Sequence, residues 1–300
     1  MIIAGLLLLI NLALGLSAKP SMSATVVVTV NGTTITSGDV EFAAMQHGVT
    51  PDQRTQEDPK LIDRLIERQL IRNFLATQKV EPPADDLQYQ IAQAEEVIRK
   101  RGDDPKSLLT KLGYTPERLK SELGLMLAWQ VYIRKTVTPK MFKEYFETHK
   151  QELDGTQLRA RQIFLKRPSP ADETAMSLQK EKLLGIRRDI AGNSLSFADA
   201  AKKYSEAPTK DQAGDIGLFS WQGKLPSAVS HAAFALKINE VSEPVISPFG
   251  VHLIQVTERH PGEFSLEDVR PVIFDRLSQQ IWTETLEQQR ATAKIERGPK

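Results

Sequence analysis

His47, His149, His231, His252 and His260 are the side chains of this 300-residue chain best suited to exchanging protons near neutral pH. No two of them stand at metal-ligand spacing, and cysteine is absent, so neither a metal site nor a thiolate nucleophile is expected. The chain also lacks a G-x-S-x-G elbow, a G-x-x-x-x-G-K-[ST] loop, an H-E-x-x-H helix and a G-x-G-x-x-G turn, which removes the commonest hydrolase and nucleotide chemistries. His252 stands apart because it lies inside the strand-like run Val251-His252-Leu253-Ile254-Gln255-Val256, where alternation puts it on one face with Ile254 and Val256. An imidazole so placed is either a core residue satisfied by one neighbour or a neutral hydrogen-bonding group bordering an apolar site.

Thirty-nine basic residues against 38 acidic ones leave no cationic surplus to neutralise a phosphate backbone, so nucleic acid is not an expected partner. The chain opens with MIIAGLLLLINLALGLSA followed by Lys19-Pro20, an apolar run ending in small residues, which has the shape of a secretory signal. An uncleaved membrane anchor is the alternative, although the run is short against the roughly 20 residues that span a bilayer. With no cysteine for disulfides, an exported chain must be stabilised by packed cores.

The elements that must hold His252 are read from periodicity. Residues 24–36 place Asn31-Gly32 between two β-rich runs, the signal of a two-residue hairpin, and Ser37-Gly38-Asp39 offers a cap for a helix over Val40 to Met45. From Asp58-Pro59, Leu61, Ile62, Leu65, Ile66, Leu70, Ile71, Phe74 and Leu75 recur at three and four and predict a helix. Further helices are predicted after Pro82-Pro83 up to Gly102, from Thr115-Pro116, and from Thr138-Pro139. Beyond Gly155 the pattern turns to α+β, with strands over Leu158 to Leu165, Pro244 to Ile246 and Val251 to Val256, and helices near 171–191, 196–204 and 226–236. A helix from Ser265 to about Lys294, capped by Ser265 and Asp268 and bent or begun at Pro271, is apolar enough that it should pack back on the N-terminal helices.

Six ordered blocks give the second half a recognisable pattern. They are Arg159-Ala160-Arg161-Gln162-Ile163-Phe164-Leu165, then Phe197 to Ser205 (F-x-x-x-A-x-x-x-S), Gly214-Asp215-Ile216-Gly217-Leu218-Phe219, Ala232 to Leu236, Glu240 to Val245, and Phe249-Gly250-Val251-His252-Leu253-Ile254. In these blocks residues 157–259 resemble the parvulin family of peptidyl-prolyl isomerases, and the rest of the chain is similar in architecture to exported folding factors of the SurA and PrsA type. The resemblance implies an α+β protein: a parvulin (FKBP-like) α/β domain with an antiparallel sheet at 157–259, and a mostly helical N-terminal chaperone domain at 24–156. It further implies a signal or anchor at 1–23, and a C-terminal helix within 260–300 that completes the helical domain.

The chemistry implied is rotation about X–Pro bonds, whose barrier of about 18–20 kcal/mol makes them isomerise over tens to hundreds of seconds unaided. No cofactor is implied, because the twisted transition state has lost amide resonance and an apolar grip on the ring with neutral polar groups near the carbonyl favours it over the planar ground state. By resemblance His252 and Gln162 form the catalytic pair, Gln162 standing where the family carries a second histidine. Ile216, Leu225 and Val229 would line the proline pocket, with Val229 where the family usually has Phe, and Phe249 would lie at the cleft. Ala207 occupies the position often filled by Asp or Cys, and its loss of a polar group sets an active isomerase against a holding chaperone that no longer turns over. Either way the partners implied are unfolded or proline-containing exported polypeptides. Arg159, Arg161, Lys166 and Arg167 are read as a solvated charged face, the alternative being a basic cleft entrance that favours acidic residues before proline.

Overall fold

The computed structural model describes residues 25–167 and 173–298, so the signal or anchor expected over 1–23 lies outside the described residues. Among the described residues no helix is long and apolar enough to cross a membrane. The chain divides into two compact units, one of residues up to Thr138 together with Phe274 onward, the other Pro139–Ile273.

Strands β1 (Val26–Val30) and β2 (Thr33–Thr36) form the first hairpin. Its turn works because Asn31 and Gly32 both take positive φ, 48° and 84°. Helix α1 (Ser37–Gln46) follows, and its N-cap is Thr36 rather than the Ser37 region: the Asp39 carboxylate accepts hydrogen bonds from the Thr36 N–H (2.6 Å) and hydroxyl (2.9 Å). Helix α2 (Arg54–Thr77) starts before Pro59, which therefore sits inside it. A 3-10 turn over Pro51–Gln53 nucleates it and Arg54 ties to Asp58 (2.5 Å), enough to carry the helix past the bond that proline cannot make. Helices α3 (Ala84–Lys100), α4 (Pro105–Lys111, capped by Asp104) and α5 (Pro116–Thr136, capped by Thr115) complete this run. Only α4 has no counterpart in the sequence periodicity, because seven residues make too few turns to show one.

In the second unit α6 (Pro139–Thr148) and α7 (Lys150–Leu153) lead into β3 (Gln157–Lys166). Next come α8 (Glu173–Ala191), α9 (Phe197–Tyr204), β4 (Asp215–Ser220), α10 (Ser227–Ala235), β5 (Val245–Ser247) and β6 (Gly250–His260). The four strands form one antiparallel sheet in the order β4-β3-β6-β5, giving the α+β arrangement expected. Along β3 and β6 alternate residues supply two cores. Ile163, Leu165, Val251 and Leu253 pack on α8 and α9, whereas Leu158, Ala160, Ile254 and Val256 pack with Phe219, Val229 and Phe234. The segments flanking β3 and β6 belong to this unit because they are stitched together: Phe264 N–H donates to the Asp154 carbonyl (2.9 Å), and a Cβ on Gly262 would lie 2.0 Å from that oxygen.

The last helix, α11 (Leu266–Thr292), keeps Pro271 in its interior with Ser265 and Asp268 at its start. From Phe274 onward it belongs to the first unit, where Phe274, Ile281, Trp282 and Leu286 pack against Ile71, Leu125, Trp129 and Ile133. A short strand β7 (Ile295–Arg297), not legible in the sequence, then pairs with β1 to give a sheet of order β2-β1-β7.

Between α2 and α5 the buried carboxylate of Glu122 is bracketed by Arg68 (Nη2 to Oε1 2.7 Å) and Arg72. Burial alone would raise its pKa, but the two guanidiniums hold it below the usual carboxylate range. Glu122→Ala leaves both guanidiniums without their counter-ion and should cost about 3 kcal/mol in urea unfolding; a loss under about 1 kcal/mol would show that solvent already satisfies the arginines.

Candidate functional site

The face of the four-stranded sheet that packs on α10 carries a short polar chain set into an apolar surround. Gln162 and Phe164 on β3 point to the same side as Leu158 and Ala160, and His252 on β6 shares its face with Ile254 and Val256. The register pairs Phe164 with His252 and Gln162 with Ile254, which brings the two polar side chains into diagonal contact. His252 Nδ1 lies 3.2 Å from Gln162 Oε1, and its Nε2 lies 2.7 Å from Ser247 Oγ on β5. Since the amide oxygen can only accept, Nδ1 carries the proton, and Nε2 accepts from the serine hydroxyl. The Ser247 oxygen in turn accepts from the Phe249 N–H (3.1 Å). Phe164 packs against the imidazole with ring centroids 4.7 Å apart.

His252 is only 5% exposed, so the ring is enclosed rather than presented to solvent. Its pKa is pushed down to about 4 by desolvation on burial, and the imidazole is neutral at physiological pH. Gln162 is half-buried, and its amide Nε2 has no partner among the described residues, which leaves its N–H groups as the chain's open donors. An imidazole in that position would change charge with pH; the glutamine does not.

The apolar residues expected to form a pocket fall in one cluster: Ile216 and Val229 are buried and Leu225 is half-buried against them, beside Ile254 and Phe219. Ile216 is the extra residue of a β-bulge, since Ala160 pairs with Gly217 and Arg161 with Asp215, and Gly217 takes φ 69°. The bulge adds a residue to β4, and Lys224 Nζ caps the freed carbonyls of Ile216 and Leu218. Leu225 and Val229 come from the turn and first half of α10.

Ala207 is buried in the stretch that leaves α9. That stretch is pinned to β3 by Ser205, whose Oγ accepts from the N–H groups of Phe164 (3.1 Å) and Ala207 (3.2 Å), while Glu206 N–H donates to the Phe164 carbonyl (2.8 Å). Phe249 sits in the β5–β6 turn and is 63% exposed. Of the basic residues read as a charged face, Arg159 is committed to Asp215 (2.7 Å) and Glu258 (3.4 Å).

Sequence reasoning passed over Ser247, Phe164 and Ser205. Ser247 stands five residues before His252, and only the hairpin register folds it back onto the ring. Ser205 closes the F-x-x-x-A-x-x-x-S block and was legible as a pattern though not as an anchor. Among the described residues no cluster of His, Cys, Asp or Glu is arranged to hold a metal.

Comparison with known proteins adds an independent line. The family model of the PPIC-type PPIase domain matches residues 137–271. Foldase protein PrsA 1 of Bacillus cereus is 30% identical over 248 residues, covering 80% of this chain and 76% of that protein. Chaperone SurA of Bordetella parapertussis is 36% identical over 146 residues, covering 47% of this chain and 27% of the chaperone, so the match takes in about a quarter of its length. A crystal structure of peptidylprolyl isomerase (PrsA) from Bacillus cereus aligns with 93% of this chain and 96% of that one, at 23% identity and a TM-score of 0.45.

The enclosed imidazole sets a pH dependence of stability. The unfolded chain protonates His252 near pH 6.5, whereas the folded protein resists until about pH 4. The stability it contributes is complete above pH 6.5 and is lost as pH falls toward 4, by roughly 3 kcal/mol in full. Urea midpoints between pH 7.5 and 4 should therefore slope less in His252→Gln than in the parent; parallel slopes would mean the ring is not desolvated.

Proposed function

The chain belongs to the PrsA-type foldases, parvulin-type peptidyl-prolyl isomerases that also act as folding chaperones, and from that premise we propose how its residues divide the work on exported, unfolded polypeptides. The proline ring enters the apolar surface of Ile216, Leu225 and Val229, with Phe249 covering the entrance. Gln162 is the polar group that touches substrate, its amide N–H donating to the prolyl nitrogen, whose lone pair is released from resonance and becomes an acceptor as the bond turns out of plane. His252 acts through Gln162: its Nδ1–H holds the amide oxygen, which leaves the amide nitrogen directed away from the ring, and Ser247 fixes the tautomer. His252 is thus a positioning residue, and no proton leaves or joins the substrate.

The single observation that carries this reading is the 3.2 Å bond between Gln162 and His252 beside the Ile216–Val229 cluster. A holding role without turnover is favoured by Ala207, which puts a methyl group where a polar side chain would otherwise serve. The apolar run at residues 1–18 supports export, with cleavage ahead of the first hairpin releasing the foldase and retention anchoring it. The parvulin-type domain is proposed to span 157–259, borne by the helical chaperone domain.

A protease-coupled assay on short X–Pro peptides tests the assignment. One lost hydrogen bond to the turning amide corresponds to about a tenfold fall in kcat/KM for Gln162→Ala. His252→Ala should fall by a similar factor, and the double variant no further than the worse single one, because the two act as a unit. The parent profile should be flat from about pH 5.5 to 8, since no group in the chain of bonds titrates there. Equal and negligible rates for parent and His252→Ala would falsify the isomerase assignment of these residues and leave the holding role.

A further inference from the structure

The helical unit contains a cleft of about 410 Å³ that plays no part in the chemistry above. It opens between α5 and α11 and lies within the size range of sites that take a small organic group. Its floor is Trp129, 2% exposed, whose indole N–H is already spent on Ser278 Oγ (3.0 Å). Trp282 meets Trp129 edge to face with centroids 4.9 Å apart, and half-buried Met126 and Phe274 complete the apolar wall. Two fixed rings at right angles form an aromatic corner in which a third ring can stack on one and abut the other, and the methionine can adapt to its outline.

One cation at this cleft has no counter-ion among the described residues. Arg68 on one wall is held by Glu122, and Asp275 on another already has a partner. Arg134 at the rim is exposed and has none among the described residues. Behind the wall Glu122 is shared by Arg68 and Arg72, so the cation left to meet an incoming carboxylate is Arg134.

We propose that this cleft is a client-binding site for a solvent-exposed aromatic side chain of an unfolded polypeptide that carries a carboxylate close by in sequence, the ring entering the Trp129–Trp282 corner and the carboxylate meeting Arg134. The inference rests on the chaperone role described above and gives it a place and a preference. It is independent of proline, so its ligands need not be isomerase substrates.

Two of the three tryptophans line the cleft, so in the full-length Trp221→Phe protein fluorescence reports on it alone. The probes are proline-free Gly/Ser decapeptides containing Phe-Ser-Glu, Phe-Ser-Lys or Ala-Ser-Glu. The expected result is saturable quenching by Phe-Ser-Glu, about fivefold tighter than Phe-Ser-Lys as befits one exposed ion pair, and none by Ala-Ser-Glu. Arg134→Glu should reverse the order of the two phenylalanine peptides, and Arg134→Gln should equalise them, with melting curves and X–Pro isomerisation unchanged in both. No quenching by either phenylalanine peptide, or equal affinities that Arg134→Glu leaves equal, would overturn the proposal. Isomerase activity lost in the parent protein while the peptides still bind would instead count against the proline chemistry alone.

Discussion

Three adjacent strands each contribute one side chain to a hydrogen-bonded line, Ser247 from β5, His252 from β6 and Gln162 from β3, and the line exists only because water is kept from its middle member. A hydrated imidazole would exchange partners and take up a proton at mildly acidic pH. The enclosed one does neither, and its two fixed bonds pass the rigidity of the sheet out to a glutamine amide. Everything on that face follows from the same exclusion of water. The cluster of Ile216, Val229 and Ile254 provides it, and the β4 bulge gives the strand the extra residue that brings Ile216 into that cluster.

This arrangement suits a reaction in which no bond is made or broken. The turning amide is favoured by an apolar hold on its ring and a neutral donor near its nitrogen, where the lone pair localises, so an amide side chain can serve where an imidazole also could. With glutamine at 162 the outer end of the hydrogen-bonded line stays uncharged at every pH. At Ala207 the backbone is held against β3 by Ser205, and the side chain is a buried methyl group.

The helical unit obeys a different logic. Its stability comes from long apolar faces, Leu61 to Leu75 on α2 and Leu125 to Ile133 on α5, joined by the far end of α11, with one buried carboxylate neutralised by two arginines. Tryptophan is well used there: Trp129 spends its polar atom on Ser278 and leaves the ring to shape a cleft. An apolar recess with a cationic rim fits a protein that must hold chains transiently, since one ring and one ion pair bind weakly enough to let go.

Much of this was written in local sequence. The Asn31-Gly32 turn, the three- and four-residue spacing of α2, and the capping residues Thr115 and Ser265 act over a few positions, and so their elements could be read directly, as could the six blocks that mark the parvulin pattern. The start of α2 before Pro59 and the pairing of β7 with β1 could not, because each depends on contacts that the local signals do not contain: a preceding 3-10 turn and a strand more than 260 residues away. The site divides in the same way. The residue types at 162, 216, 229 and 252 determined that a neutral, apolar chemistry was available, whereas which atom bonds which, and the enlistment of Ser247, were decided by strand register and by burial, which are properties of the folded sheet and of no segment taken alone.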